Sequence, residues 1–179
     1  MWRKARANET DDAVTFITAN EYQVDKQISR TSLGISGVVD LSRQRGGIAL
    51  DICDEQVEGV GLYTFGVPAD GFADSSIGYI LLMILSPVRR YRSFLEGLAF
   101  MLQELKSGGS VDLQFKARKD SQYEQRLYQK FSRIIGVENN MAGHPSLVFS
   151  CTIEEALRRL SRYEKPCRKN GKQKRVNQE

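Results

Sequence analysis

One stretch of the chain combines a buried strand, a strand stop and a long amphipathic helix, and it constrains the fold more than any other. Residues Ile77–Leu85 are almost entirely apolar, which is typical of a central strand covered on both faces. Pro87 follows the strand and ends it, because proline lacks the amide that a sheet requires. Apolar residues then recur at helical spacing to about Ser107, which predicts a long helix packed on the sheet. The stretch therefore indicates an α/β protein.

Strand and helix patterns also alternate through the rest of the chain. Residues 48–65 predict a hairpin that turns at Asp54 and Glu55, whereas residues 21–45 predict only weak helix and loop. The other predicted elements are a first strand and helix within 2–17, a strand at 111–117, a helix from Ser121 to about Phe131, a strand at 147–151 and a final helix to about Tyr163. We expect a single α/β domain around a mixed sheet that is flanked by helices.

Composition excludes several classes of protein. The chain has 179 residues, 41% of them hydrophobic, which is ordinary for one globular domain. The longest apolar run is about half as long as a membrane span requires, and no apolar stretch behind Met1 predicts a secretory leader. Three widely spaced cysteines favour a reduced, cytoplasmic chain over a disulfide framework. The one histidine, His144, is interpreted as an ordinary loop residue, so we expect no metal site.

The basic charge of the chain is concentrated at one end. The formal net charge is +4, yet residues 165–179 alone contain six Lys or Arg against one Glu. The remainder, residues 1–164, is therefore nearly neutral. We interpret 165–179 as a basic tail, either solvated or docked on a protein partner or nucleic acid. No aromatic residue follows Tyr163, so base stacking by the tail is not supported.

Three arginines lie where the long helix is predicted to begin. Arg89, Arg90 and Arg92 follow the buried strand within a few residues. Backbone amides at a helix N-terminus bind anions, and nearby arginines strengthen such a site. The segment could therefore hold a pyrophosphate, although a solvated basic turn has the same pattern.

This segment resembles the GNAT superfamily of N-acetyltransferases. In that family the fourth strand ends in Pro, and a motif Gln/Arg-x-x-Gly-x-Gly/Ala then opens a long helix that binds the pyrophosphate of acetyl-CoA. Residues 90–95, Arg-Tyr-Arg-Ser-Phe-Leu, fall in that register. Downstream, residues 127–130, Leu-Tyr-Gln-Lys, are similar to the family's Leu-Tyr-Glu-Lys. The resemblance covers most of the chain to about Cys151 and implies a GNAT-like domain over residues 1–164.

The resemblance also implies site residues. Tyr128 matches the family's tyrosine that protonates the departing thiolate, and Leu85 lies near the strand position whose backbone meets the thioester. If the chain is active, its cofactor is acetyl-CoA. The implied cofactor-binding residues are Leu85, Arg90, Tyr91, Arg92, Ser93, Phe94, Leu95 and Ser121.

Departures from the family pattern favour weak or lost catalysis. Ser93 and Leu95 stand where the motif has its glycines, and their side chains are expected to narrow the space for phosphates. Ser121 and Glu124 replace the family's Asn and Ala, and the strand Ile77–Leu85 contains no carboxylate for a general base. Glu55, Glu58 and Asp74 are the nearest carboxylates in sequence, and none is assigned.

A non-enzymatic role is the alternative interpretation. Internal virion proteins of short-tailed bacteriophages have similarly degraded GNAT-like folds, and an assembly protein of that kind would be located within a virion. This interpretation predicts that Tyr91, Phe94 or Leu95 fills the cofactor cleft and that the tail 165–179 docks on a partner. An open cleft between the fourth and fifth strands counts against it.

Overall fold

A seven-stranded mixed sheet forms the centre of the protein. The computed structural model describes residues 1–23, 33–89, 91–139 and 145–163, and within them the strand order is β1-β2-β3-β4-β5-β7-β6. Only β4 and β5 are parallel; the other neighbouring pairs are antiparallel. The strands are β1 Trp2–Lys4, β2 Gly46–Cys53, β3 Gln56–Phe65, β4 Ile77–Leu85, β5 Asp112–Arg118, β6 Arg133–Asn139 and β7 Pro145–Thr152.

Helices cover both faces of this sheet, which confirms the predicted α/β fold. The helices are α1 Thr10–Ala19, α2 Gly34–Arg45, α3 Tyr91–Ser107, α4 Gln122–Tyr128 and α5 Ile153–Leu160. On one face, α3 and α5 bury a core with Leu102, Phe115 and Phe149. On the other face, α1 and α2 bury Ile17 and Val39 against the sheet. In the described part of the chain, none of the helices is long and apolar enough to cross a membrane.

Two segments differ from the sequence prediction. Residues 34–45 form a regular helix, α2, instead of weak helix and loop, because Val38, Val39 and Ser42 pack into the core. Residues 133–139 form β6, a strand that was not predicted. A strand is predicted from apolar residues at every second position, which mark a buried face. β6 has no buried residue, so this pattern did not identify it. The predicted basic tail 165–179, His144 and Arg90 lie outside the described residues.

β4 and β5 separate along their length. They pair from Ile77 opposite Asp112 to Ile80 opposite Phe115, after which β4 continues to Leu85. A β-bulge lies at the point of separation: in β3, Tyr63 faces Ile80 and Leu62 faces Leu82, so Leu81 is the extra residue. Such a bulge bends a strand and re-aims its side chains. The carboxyl ends of β4 and β5 therefore diverge and leave an opening in the sheet.

Candidate active site

A cavity of about 470 Å³ occupies the opening between β4 and β5. Its volume falls within the range of small-molecule sites. The cavity takes its walls from both faces of the sheet. The wall on the α3 side includes Phe94, Leu98, Phe115, Tyr128 and Phe131, and the wall on the opposite side includes Val38, Tyr79, Lys116, Glu138 and Ser146. Two ligands that enter from opposite faces could thus meet within the sheet.

Tyr128 lies in the α3-side wall and is held there by aromatic packing. Its ring contacts Phe115 edge-on, with 4.7 Å between ring centroids. Phe149 and Phe131 lie at 5.7 Å and 6.0 Å from the same ring. The side chain is half-buried. The sequence match therefore identified a tyrosine that faces the cavity from a fixed position.

The residues predicted at the start of α3 divide into two groups. Phe94 lines the cavity, whereas Ser93 and Leu95 are only 7% and 9% exposed and belong to the interior. Arg92 is exposed and forms an ion pair with Glu96, one helical turn later, at 2.8 Å. Tyr91 is the first residue of α3. Its side chain lies outside the described part of the structure.

A buried carboxylate holds the start of α3 against β2. Asp51 is fully buried, and its Oδ2 accepts hydrogen bonds from Arg89 Nη2 at 2.6 Å and Ser93 Oγ at 2.7 Å. The N-terminal amine of Met1 donates to Oδ1 at 2.7 Å. Trp2 Nε1 completes this network by donating to the carbonyl of Ser93 at 2.8 Å. We call these five residues the Asp51 cluster.

Burial and hydrogen bonding act in opposite directions on Asp51. Burial by itself raises the pKa of the carboxyl group, because it disfavours the charged form. The hydrogen bonds from the N-terminal amine, Ser93 and Arg89 outweigh burial, so the pKa of Asp51 lies below its ordinary value. The carboxylate is therefore ionised at neutral pH and pairs with Arg89, whose pKa is raised in return.

The Asp51 cluster bears on one expectation drawn from the motif. Ser93 and Leu95 were expected to narrow the phosphate space because they replace glycines. The Ser93 hydroxyl instead binds Asp51, on the β2 side of α3, and Leu95 packs in the α3-side core. Neither side chain is among those that line the cavity. The side chains that replace the two glycines therefore do not close the cavity between β4 and β5, and a narrowed phosphate space at the start of α3 stays a prediction.

Leu85 and Ser121 have structural contacts of their own. Leu85 is opposite Gly59 at the end of β4, and its carbonyl accepts a hydrogen bond from Gln23 Nε2 at 2.8 Å. Ser121 Oγ caps α4 by accepting from the amide of Glu124, as its capping-box spacing predicted. Phe94 and Tyr128 are thus the predicted residues that the fold brings together in the cavity wall.

Two ion pairs at the cavity were missed by the sequence analysis. Lys116 Nζ lies 2.8 Å from Glu138, and Arg118 lies 2.9 Å from Glu124. Glu138 was missed because β6 was missed, whereas Glu124 was noted only as a departure from the family pattern. Burial, with a contribution from the charge of Glu138, raises the pKa of Tyr79 well above its ordinary value. These groups supply the polar part of the wall.

Two of the three carboxylates that were nearest in sequence, Glu58 and Asp74, are engaged elsewhere. Glu58 accepts a hydrogen bond from Ser86 Oγ. Asp74 accepts from Ser76 Oγ at 2.6 Å, and these hydrogen bonds lower the pKa of Asp74. Among the described residues, no group of three or more His, Cys, Asp or Glu side chains could hold a metal ion.

Comparisons with known proteins agree on the fold. No protein-family model and no curated protein matches the sequence, but many solved structures match in three dimensions. A protein from Desulfovibrio desulfuricans, assigned as an acetyltransferase of the GNAT family, has a TM-score of 0.65 at 12% identity. The match covers 86% of this chain and 98% of that chain.

Acetyltransferases with different acceptors are similarly close. Ribosomal-protein-alanine N-acetyltransferase from Brucella melitensis has a TM-score of 0.64 at 13% identity, covering 85% of this chain and 99% of that one. Aminoglycoside 6'-N-acetyltransferase from Enterococcus faecium has a TM-score of 0.58 at 10% identity, with 86% and 97% covered. Identities this low establish the fold alone. The chain has the fold of the GNAT acetyltransferases.

Proposed function

We propose that the chain binds acetyl-CoA in the cavity between β4 and β5 and transfers the acetyl group slowly to an amine. The observation that carries the proposal is the opening through the sheet, with walls from both faces. A thioester entering from the α3 side could there meet an amine entering from the α1 and α2 side. The shared fold with acetyltransferases supports the same function.

The residues around the α3 side of the cavity fit the cofactor. The first four amides of a helix have no partner within it, and those of Ser93 and Phe94 are among them. They can bind a pyrophosphate, since the side chains of Ser93 and Leu95 are directed away. Arg90 and Arg92 add positive charge to this segment. Phe94, Leu98 and Phe115 provide an apolar wall for the pantetheine arm.

The proposed chemistry assigns few tasks to the chain. When bound, acetyl-CoA supplies a thioester whose C–S bond breaks as the C–N bond to the amine forms. Tyr128 donates its hydroxyl proton to the departing sulfur. Backbone amides of β4 beyond Ile80, where the pairing with β5 ends, stabilise charge on the carbonyl oxygen. Leu85, at the end of this segment, remains the predicted contact.

Slow turnover follows from the state of the cavity carboxylates. An amine nucleophile must lose its proton, and Glu124 and Glu138 are the carboxylates in the described wall. Each is held in an ion pair with Arg118 or Lys116. The ion pair engages the carboxylate oxygens, so an amine can approach them only after the pair opens. We therefore propose a working cofactor site with inefficient proton removal.

Calorimetric titration of the full chain with acetyl-CoA tests this proposal. We expect saturable binding at micromolar concentrations. Ala117→Phe, which fills the cavity from β5, should weaken binding at least tenfold, whereas Val111→Phe at an exposed position before β5 should not. Circular dichroism establishes that both variants fold. The absence of heat with the wild-type chain, or equal binding by Ala117→Phe, would contradict the proposal.

A second candidate is a protein that binds acetyl-CoA without turnover. The ion pairs of Glu124 and Glu138 favour it, because they occupy the carboxylates of the described wall. Thiol release from acetyl-CoA in the presence of a polyamine, an aminoglycoside and an alanine-initiated peptide separates the two candidates. Binding with no thiol release above the rate without amine would favour the second. An assembly role through the tail 165–179, within a virion or elsewhere, stays a prediction.

A further inference from the structure

The edge strand β6 exposes an apolar surface. Within the described residues β6 pairs only with β7, so its outer edge carries unpaired backbone groups. Ile134, Ile135 and Val137 are 42%, 49% and 54% exposed. Edge strands are usually protected by charged side chains, above all lysine, by proline, by a bulge or by a short length. The seven residues of β6 include neither lysine nor proline.

A bulge in β6 brings two of these apolar side chains to the same face. Ile134 is opposite Phe149 and Gly136 is opposite Val148, so Ile135 is the extra residue. Val137 is then opposite Leu147. Because Phe149 and Leu147 belong to the α3-side core, Ile134 and Val137 both face that side.

The charged residues of β6 lie on the opposite face of the sheet. Arg133 is opposite Ser150, and Glu138 is opposite Ser146. Glu138 also forms its ion pair with Lys116, whose side chain projects on the face away from the α3-side core. The two faces of β6 therefore differ, with apolar Ile134 and Val137 on one side and charged Arg133 and Glu138 on the other.

We propose that β6 pairs in antiparallel orientation with β6 of a second copy of this chain. In the register that we infer, Ile134 lies opposite Val137 of the second copy, and Arg133 lies opposite Glu138. A two-fold axis repeats each contact, so two apolar pairs form on one face and two opposite-charge pairs on the other. The seven-stranded sheet then continues across the interface as a fourteen-stranded sheet.

Neighbouring registers are less favourable for physical reasons. A shift by one residue in one direction would place Ile134 opposite Glu138 and Arg133 opposite Asn139. A shift in the other direction would place Ile134 opposite Gly136 and Arg133 opposite Val137. Both shifts remove the two matches of the proposed register. In the proposed register Ile135 lies opposite Gly136. A side chain added to Gly136 would meet no atom within 4 Å, so this position has space for Ile135 of the second copy. The surface is thus complementary to itself.

The oligomeric state of the full chain tests the proposal. We expect light scattering coupled to gel filtration to show a dimer that dissociates on dilution, and Val137→Lys to shift it to monomer. Val111→Lys, at a 60% exposed valine away from β6, is the matched control and should stay dimeric. A wild-type monomer up to about 100 µM, or a Val137→Lys dimer of unchanged affinity, would overturn the proposal.

The register has a test of its own. Arg133→Glu and Glu138→Arg should each weaken dimerisation about tenfold, because like charges then face each other. The two changes together should restore the wild-type affinity. The pair Ile134→Cys and Val137→Cys in one chain should give a disulfide-linked dimer on oxidation, whereas Ile134→Cys alone should not. Failure of both the restoration and the crosslink would overturn the register.

Discussion

The two flanks of the β4–β5 cavity are stabilised by different physical means. On the α3 flank, the Asp51 cluster joins a buried carboxylate to Arg89, Ser93 and the first residues of the chain. On the α4 flank lies a group of four packed aromatic rings, with at most 6.0 Å between the centroids of contacting rings: Phe115, Tyr128, Phe131 and Phe149. The first flank depends on charge and the second on apolar packing.

This difference determines how each flank responds to change. A buried carboxylate is stable only while its donors are present, so loss of one partner leaves an uncompensated charge. Aromatic packing has no such dependence on pH, but it loses contacts in proportion to the volume removed. The cavity therefore lies between one flank that is sensitive to charge and another that is sensitive to volume.

Removing the central ring of the aromatic flank should have the largest effect. Phe115 is 4% exposed and contacts three other rings. Phe115→Ala should lower the free energy of unfolding by about 4 kcal/mol, measured by urea denaturation. Tyr22→Ala, at a 71% exposed ring, is the control and should change it by less than about 0.5 kcal/mol. Equal effects of the two variants would contradict the packing role.

Removing the carboxylate should have the next largest effect and should depend on pH. Asp51→Ala should lower the free energy of unfolding by about 3 kcal/mol at pH 7. Because the folded-state pKa of Asp51 is lowered, its stabilisation is present above the ordinary value of 3.8. It is lost as the pH falls from there through the folded-state pKa.

The pH dependence is measured as a difference between chains. The stability gap between the wild type and Asp51→Ala should close as the solution is acidified. Glu9→Gln is the control, because the hydrogen-bonded ion pair with Arg3 lowers the pKa of Glu9 to about 2 at a site that is only half-buried. At pH 7, Glu9→Gln should lower the free energy of unfolding by less than Asp51→Ala does. A stability difference between the wild type and Asp51→Ala that is constant with pH would show that the ionised carboxylate does not stabilise the fold.

The hydroxyl of Tyr128 should affect turnover and leave stability unchanged. Under the proposed function, Tyr128→Phe should lower kcat for acetyl transfer about 100-fold, equivalent to about 2.7 kcal/mol. The ring contacts with Phe115 and Phe149 are kept, so the free energy of unfolding and the affinity for acetyl-CoA should stay the same. A change in kcat below about threefold would show that Tyr128 does not donate the proton.

The Ser93 hydroxyl should make the smallest contribution. Ser93→Ala removes one hydrogen bond to Asp51 and should cost about 1.5 kcal/mol of stability. The affinity for acetyl-CoA should change by less than about twofold, because the side chain lies away from the cavity. A large gain in affinity would show that the side chain does narrow the phosphate space.

The predictions from sequence succeeded where a local signal was strong. The apolar run of β4 and the capping boxes at Ser121 and Thr152 are local patterns, and the structure confirms all three elements. β6 gave no such signal, because none of its residues is buried. A bulge at Ile135 also interrupts the alternation of its side chains. The resemblance singled out Tyr128, which lines the cavity in the structure, whereas its catalytic role stays a prediction.

The sequence by itself determined the α/β class, the strand–turn–helix segment around Pro87 and the identity of the tyrosine in the cavity wall. Tertiary structure decided where the residues at the departed motif positions lie. Asp51 and Ser93 are 42 positions apart in the chain, and only the packing of α3 on β2 brings them into contact. That contact directs Ser93 away from the cavity. No local pattern could show it, because side-chain direction depends on partners that are distant in sequence.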